Sequence, residues 1–170
     1  MNEAVFISDL HLHPDRQDLH ARFEHFLSWA KAHTTSLYIL GDFFHVWAGD
    51  DLNSDYSDAI LQALKQLTDA GIAVYFMVGN RDFLLGKGYL AKARVQHLKE
   101  PTVIELGGQK VLLTHGDRYC TQDKAHMFFR KLTRACWFKP LFLTLPKSIR
   151  KRIVMGVRQR SAKEMQKKHT

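Results

Sequence analysis

The sequence predicts an α/β fold: a parallel sheet with helical crossovers, continued into a helical lid. Three observations predict it. Between Ala4 and Val78, short apolar runs alternate with stretches of helical periodicity in the order β-α-β-α-β, which right-handed crossovers between parallel strands satisfy. Two further short runs flank Gly107-Gly108 and read as a hairpin. From Asp123 the pattern turns helical and basic, punctuated by Pro140 and Pro146.

Taken in order, Ala4–Ser8 (AVFIS) reads as a buried strand. Leu19–Ala32 carries Phe23, Phe26, Leu27 and Ala30 at helical spacing, and Ser36–Leu40 (SLYIL) is the second strand. Asp58–Ala70 is a helix with Ile60, Leu61, Leu64 and Leu67 on one face, stopped by Gly71. Ile72–Val78 (IAVYFMV) is the third strand, and Thr102–Leu106 with Lys110–Thr114 form the hairpin. Residues 1–122 are read as the core and residues 123–170 as a basic amphipathic lid. No repeat or low-complexity tract interrupts them, and 170 residues suffice for one domain with a sizeable core.

The net charge of +8 conceals an asymmetry. Residues 1–123 carry 11 Lys/Arg against 16 Asp/Glu, a balance of −5, whereas residues 124–170 carry 14 against the single acid Glu164, a balance of +13. An acidic body suited to cations is followed by a basic arm suited to anions. The two cysteines, Cys120 and Cys136, imply no disulfide framework and are read as structural thiols in a reducing, cytoplasmic setting. No signal peptide is expected, and no run approaches the roughly 20 apolar residues that span a bilayer, so a membrane role is peripheral.

Each of the three strongly apolar strands, and the hairpin's second strand, is followed at once by ligand-type residues: Asp9-Leu10-His11, Gly41-Asp42, Gly79-Asn80-Arg81-Asp82 and His115-Gly116-Asp117. Loops at the carboxyl ends of parallel strands converge on one crevice, so Asp9, His11, Asp42, Asn80 and His115 are expected to meet. Singly, each has an ordinary explanation as a turn, a cap or a satisfied loop histidine. Four successive strand ends with such residues are not four accidental turns. Carboxylate, amide oxygen and imidazole together suit Mn, Fe or Zn, and Asp42 is placed to bridge two ions with its two oxygens.

In this order, Asp-x-His, Gly-Asp, Gly-Asn-x-Asp and His-Gly-Asp resemble the signature of the calcineurin-like metallophosphoesterase family. Within it, SDLHL (8–12), YILGDFF (38–44), GNRDFLLGK (79–87), HGD (115–117) and LPKSIRKRI (145–153) resemble the branch that hydrolyses UDP-2,3-diacylglucosamine in lipid A biosynthesis. The resemblance implies that family's α/β sandwich, incomplete in this chain, with a helical lid. It implies two Mn²⁺ held by Asp9, His11, Asp42, Asn80 and His115, with Asn80, Arg81 and His115 catalytic. It implies UDP-2,3-diacylglucosamine as substrate, water attack on its α-phosphorus, and release of UMP and 2,3-diacylglucosamine 1-phosphate. It also implies a cytoplasmic enzyme, peripheral on the inner membrane. Trp47, Asn80, Arg81, Asp123, Arg158, Ser161 and Lys168 carry over as substrate contacts. Arg81 stands where the broad family often has histidine. An arginine stays protonated, so it stabilises phosphate charge rather than donating a proton, as in the lipid A branch.

The family closes its site with a Gly-His-x-His block, and the only later histidines here are His126 and His169. The chain is therefore read as C-terminally truncated, with a second metal site short of ligands and weak or absent turnover. In residues 137–160, Trp137, Phe138, Leu141, Phe142, Leu145, Ile149, Ile153 and Val154 form an apolar set among basic residues. They read as a lid that covers acyl chains and touches the membrane, or as a hairpin packed on the core. Asp50 and Asp51 are read as loop solvation. Three rivals stand beside this reading. One is a nucleotide phosphatase or nuclease of the same fold, disfavoured by the apolar lid. Another is a nucleic-acid-binding module, which leaves the ligand loops unexplained, so no nucleic-acid partner is expected. The third is an inactive fragment.

Overall fold

The structure, a computed structural model, describes residues 2–168, and the side chains of residues 2–161. Four parallel strands, β1 (Val5–Ile7), β2 (Ser36–Leu40), β3 (Ala73–Met77) and β4 (Gln96–Leu98), form one sheet in the order β1-β2-β3-β4. Helices α1 (Gln17–His33), α2 (Asp55–Asp69) and the short α3 (Lys87–Ala91) lie in the three crossovers. The expected β-α-β-α-β order is present, and α3 and β4 are additional. β4 is three residues long and contains Gln96 and His97, too short and too polar to show a period.

Local chemistry sets the ends of α2. Ser54 and Ser57 form a reciprocal capping box, each hydroxyl accepting from the other's backbone N–H. At the far end, Gly71 (φ +88°) turns the chain, and the N–H groups of Gly71 and Ile72 donate to Thr68 and Leu67 carbonyls at 3.1 Å. The buried face of α2 is Ile60, Leu61, Leu64 and Leu67, and that of α1 is Phe23, Leu27 and Ala30. Both join Leu37, Ile39, Val74 and Phe76 of the sheet in the main core.

The opposite sheet face carries Tyr38, Leu40, Tyr75 and Met77. Ile104, Val111 and Leu113 of the antiparallel hairpin β5 (Thr102–Leu106) and β6 (Gln109–Leu113) pack against it. Gly107 and Gly108, with φ of 56° and 74°, make the two-residue turn. β1 corrects the expectation of a buried strand. It is a sheet edge, where Phe6 is exposed and stacks on Tyr38 at 5.0 Å.

Past a short turn at Asp117–Tyr119 come α4 (Lys124–Thr133), α5 (Phe138–Leu143) and α6 (Lys147–Lys168). Pro146 precedes α6, whereas Pro140 sits inside the first turn of α5, where its missing N–H is tolerated. The apolar set divides. Phe138, Phe142, Leu145 and Val154 pack on the core, while Trp137, Leu141, Ile149 and Ile153 are exposed. Cys120 and Cys136 are free and exposed, not buried structural thiols, because both lie in surface connections flanking α4. No described helix is long and apolar enough to cross a membrane.

Candidate metal centre

The loops after β1 and β2 run side by side. The N–H groups of Asp9, His11 and Leu12 donate to the carbonyls of Gly41, Asp42 and Phe43 at 3.1, 3.0 and 2.8 Å. This pairing holds Asp9, His11 and Asp42 in left-handed backbone, with φ of 56°, 51° and 51°. Each such non-glycine residue costs about 1–3 kcal/mol and persists only where its surroundings dictate it. Glycines let the next loop approach. A Cβ on Gly79 would stand 2.3 Å from the Asp42 N and Oδ1 atoms, and one on Gly41 would stand 2.7 Å from His115 Nδ1.

Asp82 locks these loops together. It is fully buried, with Oδ1 accepting from Gly79 N–H at 2.7 Å and Oδ2 from Phe43 N–H at 2.8 Å. Burial pushes its pKa up to about 6. The sequence marked Asp82 only as part of its motif. Its role as a scaffold depends on burial that no local pattern reveals.

Asp42 is the centre of the cluster. Its Oδ2 lies 3.3 Å from His11 Nε2 and 3.3 Å from Arg81 Nε. Its Oδ1 accepts the Arg81 N–H at 2.9 Å and lies 3.6 Å from His115 Nε2. Burial opposes ionisation of Asp42, but the His11 ring and the Arg81 N–H outweigh it and hold the pKa below the usual value. Ligand atoms of Asp9, Asp42 and His115 all lie within 4.8 Å of one another. His115 Nδ1 is 2.9 Å from the Leu40 carbonyl, which can only accept, so Nδ1 carries a proton and Nε2 is the ring nitrogen turned to the Asp42 side. Asn80 Oδ1 is buried without a protein hydrogen-bond partner. An orphaned amide oxygen in the loop that packs against Asp42 through Gly79 and the Arg81 N–H fits a divalent cation, because a buried acceptor needs a donor or a positive charge.

Two arginines face this cluster. Arg81 Nη1 donates to His45 Nδ1 at 3.4 Å, and burial and Arg81 together depress the His45 pKa. Arg158 of α6 donates to the Asn80 carbonyl at 2.9 Å, and its Nε is buried without a partner. Burial and the Arg81 charge push Arg158 down to about 10. Asn80, Asp123, Arg158 and Ser161 line one cavity of about 260 Å³. There Asp123 also caps α4, accepting from His126 N–H at 3.0 Å. Trp47 lies apart from that cavity, packed on Phe44 and Tyr89 and 5% exposed, at the wall of an apolar cavity of about 460 Å³ shared with Val154 and Met155. The Lys168 side chain lies outside the described residues.

Of the two loop carboxylates, Asp50 departs from its expectation as a solvated group, whereas Asp51 stays exposed and is also paired. Asp50 accepts from the Trp47 indole at 3.0 Å and from Gly86 N–H at 2.9 Å. Asp51 pairs with the buried Arg150 of α6, which ties that helix to the β2–α2 loop.

Comparison with known proteins agrees with this geometry. Residues 4–165 match the family described as calcineurin-like phosphoesterase. The chain is 42% identical over 166 residues to the UDP-2,3-diacylglucosamine hydrolase of Pseudomonas putida, covering 98% of this chain and 69% of that protein. It is 46% identical over 158 residues to the protein of that name from Stenotrophomonas maltophilia (93% and 64%). The Xanthomonas oryzae pv. oryzae protein of the same name is 46% identical over 147 residues (86% and 60%). With these matches and a cluster fit for a divalent cation, this chain belongs to the calcineurin-like phosphoesterase family.

Proposed function

We propose that this chain hydrolyses the pyrophosphate bond of UDP-2,3-diacylglucosamine, adding water at the α-phosphorus and releasing UMP and 2,3-diacylglucosamine 1-phosphate. The observation that carries the proposal is the joint placement of a cation-ligand cluster (Asp9, Asp42, His115), two inward-facing arginines and apolar cavities under helices α5 and α6. The relatives' name supplies the substrate.

Asp9, His11, Asp42, Asn80 and His115 would hold the cations, two Mn²⁺ on this reading. Such ions supply Lewis acidity to a phosphoryl oxygen and acidify a water. The protein's own groups do the rest. Asp42 stays ionised between His11 and His115. The Leu40 carbonyl holds the His115 tautomer. Arg81 and Arg158, always charged, bind and orient phosphate oxygens. Asp123 and Ser161 share the Asn80–Arg158 cavity and are assigned to the nucleotide and sugar side.

Phe83, Phe138, Phe142, Ile153 and Val154 border Arg81 and Arg158 around a cavity of only about 50 Å³, so the acyl chains are assigned to the larger apolar cavity of about 460 Å³ lined by Trp47, Val154 and Met155. Exposed Phe128, Leu141, Ile149 and Met155 on the helices, with Trp137 in the turn before α5, lie in a basic segment and support peripheral contact with an anionic membrane face. We assign residues 1–122 to the catalytic body and 123–170 to the lid.

The test is UMP release from UDP-2,3-diacylglucosamine with and without Mn²⁺, with bound metal measured on the same sample. Slow, Mn²⁺-dependent release that vanishes in Asp9→Ala and His115→Ala is expected. Release that persists in both variants overturns the proposal, as does its absence when Mn²⁺ is bound stoichiometrically.

A further inference from the structure

Two arginines one turn apart at the end of α4 reach back beneath the site. Arg130 donates from Nε to Asp117 Oδ1 and from Nη2 to Glu100 Oε2, both at 2.9 Å. Arg134 donates from Nη2 to the carbonyls of Val78 and Gly79, at 3.1 and 3.0 Å. The same nitrogen stands 3.9 Å from Glu100 Oε2 and 4.0 Å from Asp117 Oδ2. Both carboxylates are removed from water, 5% and 3% exposed. Carboxylates so placed must be paired, because desolvation of an isolated charge is far costlier than any gain in packing.

The far side of each contact leads to a candidate ligand. Glu100 Oε1 accepts from the His115 N–H at 3.0 Å and the Thr114 hydroxyl at 2.9 Å. Asp117 follows His115 by two residues and opens the turn that closes its loop. The carbonyls of Val78 and Gly79 immediately precede Asn80. So Arg130 grips the His115 loop through two carboxylates, and Arg134 grips the Asn80 loop through two carbonyls. The gripping element is one face of the first lid helix.

We propose that Arg130 and Arg134 are positioning residues that set the separation of the Asn80 and His115 loops, so that cation affinity depends on how α4 is seated. This rests on the reading of Asp9, Asp42, Asn80 and His115 as cation ligands. Arginine is required at both places. At Arg130 the planar fork reaches Asp117 and Glu100 at once through Nε and Nη2, and at Arg134 the length and flat head bring one nitrogen, Nη2, to both carbonyls, a geometry that the compact, strongly hydrated lysine ammonium does not reproduce. The consequence is a coupling between lid and body: whatever displaces α4 also loosens the cation.

The test is Mn²⁺ binding to the full 170-residue chain, followed by the electron paramagnetic resonance signal of free Mn²⁺ and by calorimetry, at a temperature below each variant's unfolding. Arg130→Gln and Arg134→Gln are expected to raise the Mn²⁺ Kd about ten- to a hundredfold, the usual effect of removing a group that orients a ligand. Lys131→Gln, on the exposed side of the same helix, is expected to leave Kd unchanged. Arg130→Lys keeps the charge if the glutamine variant does not fold, and it too is expected to bind Mn²⁺ more weakly than wild type. Folded Arg130→Lys and Arg134→Gln proteins with lowered melting temperature but wild-type Kd overturn the inference, since a purely structural role would give that result. Asp42→Asn separates the two readings. If it abolishes binding while the arginine variants retain it, only the inference falls. If wild type binds no Mn²⁺, or Asp42→Asn binds as wild type does, the ligand reading falls and takes the inference with it.

Discussion

Replacing Arg150 with methionine tests whether one buried guanidinium holds α6 on the body. Arg150 is 2% exposed and donates to the Leu145 carbonyl at 3.0 Å, the Ala48 carbonyl at 2.8 Å, and Asp51 Oδ1 and Oδ2 at 2.8 and 2.5 Å. Methionine retains much of the apolar stem, so the loss is mainly polar. The Ala48 and Leu145 carbonyls, both part-buried, each lose a donor, at about 1–2 kcal/mol, the lower part of the range for an unpaired acceptor. The ion pair contributes only about 0–1 kcal/mol more. The reason is that Asp51 is 48% exposed and regains water. The expected destabilisation is about 2–5 kcal/mol, set against a typical domain stability of about 5–15 kcal/mol. For a chain of this size the melting temperature is expected to fall by about 5–20 °C. Thermal unfolding by circular dichroism measures the fall, and hydrogen exchange locates it as faster exchange of the α6 amides. Because α6 also carries Arg158 to the Asn80 carbonyl, KM for the nucleotide substrate is expected to rise more than kcat falls. A melting temperature within about 2 °C of wild type, with unchanged exchange in α6, would refute the account of Arg150 as the clasp.

Gly79→Ala places a Cβ 2.3 Å from Asp42 N and Oδ1, so backbone and carboxylate must part. A loss of about 1–3 kcal/mol in stability and weaker Mn²⁺ binding are expected by denaturant titration and calorimetry. Wild-type values for both would show that the loops are not tightly packed. Asp82 predicts a pH dependence. Its folded pKa, about 6, lies above the ordinary 3.8. The folded state therefore holds that proton more tightly than the unfolded state. The stability it contributes is fully present below about pH 4 and is lost as pH rises to about 6, an effect of about 3 kcal/mol. In the metal-free chain, the difference in unfolding free energy between wild type and Asp82→Asn is expected to change across that window. A difference that is flat with pH refutes a raised Asp82 pKa.

Much of the body was legible because its signals are local. Helical spacing of Ile60, Leu61, Leu64 and Leu67, short apolar runs and the stop at Gly71 each lie within one turn or strand, so α1, α2, β2 and β3 could be read directly. The meeting of the candidate ligands was legible for a related reason. Parallel topology brings the ends of β1 and β2, with Asp9 and Asp42, to one edge, and the antiparallel hairpin packed on that sheet brings His115 to within 4.8 Å of them. β1 was misjudged because an apolar run does not say whether its strand lies at the centre or the edge of a sheet.

Composition and order by themselves determined the fold class, the run of carboxylate, amide and imidazole residues at strand ends, and the division into an acidic body and a basic arm. Only the tertiary structure decided which polar groups are buried and what each one faces. Asp50 and Asp51 look like solvated loop acids until the Trp47 indole, the Gly86 N–H and Arg150 are seen against them. Glu100 and Arg130 are unremarkable in sequence, yet they are joined across 30 residues and seat His115. The apolar residues of 137–154 alternate between core and solvent according to how α5 and α6 cross the body. The reason is physical. Periodicity reports a residue's neighbours along the chain, whereas desolvation and pairing depend on neighbours that only folding supplies.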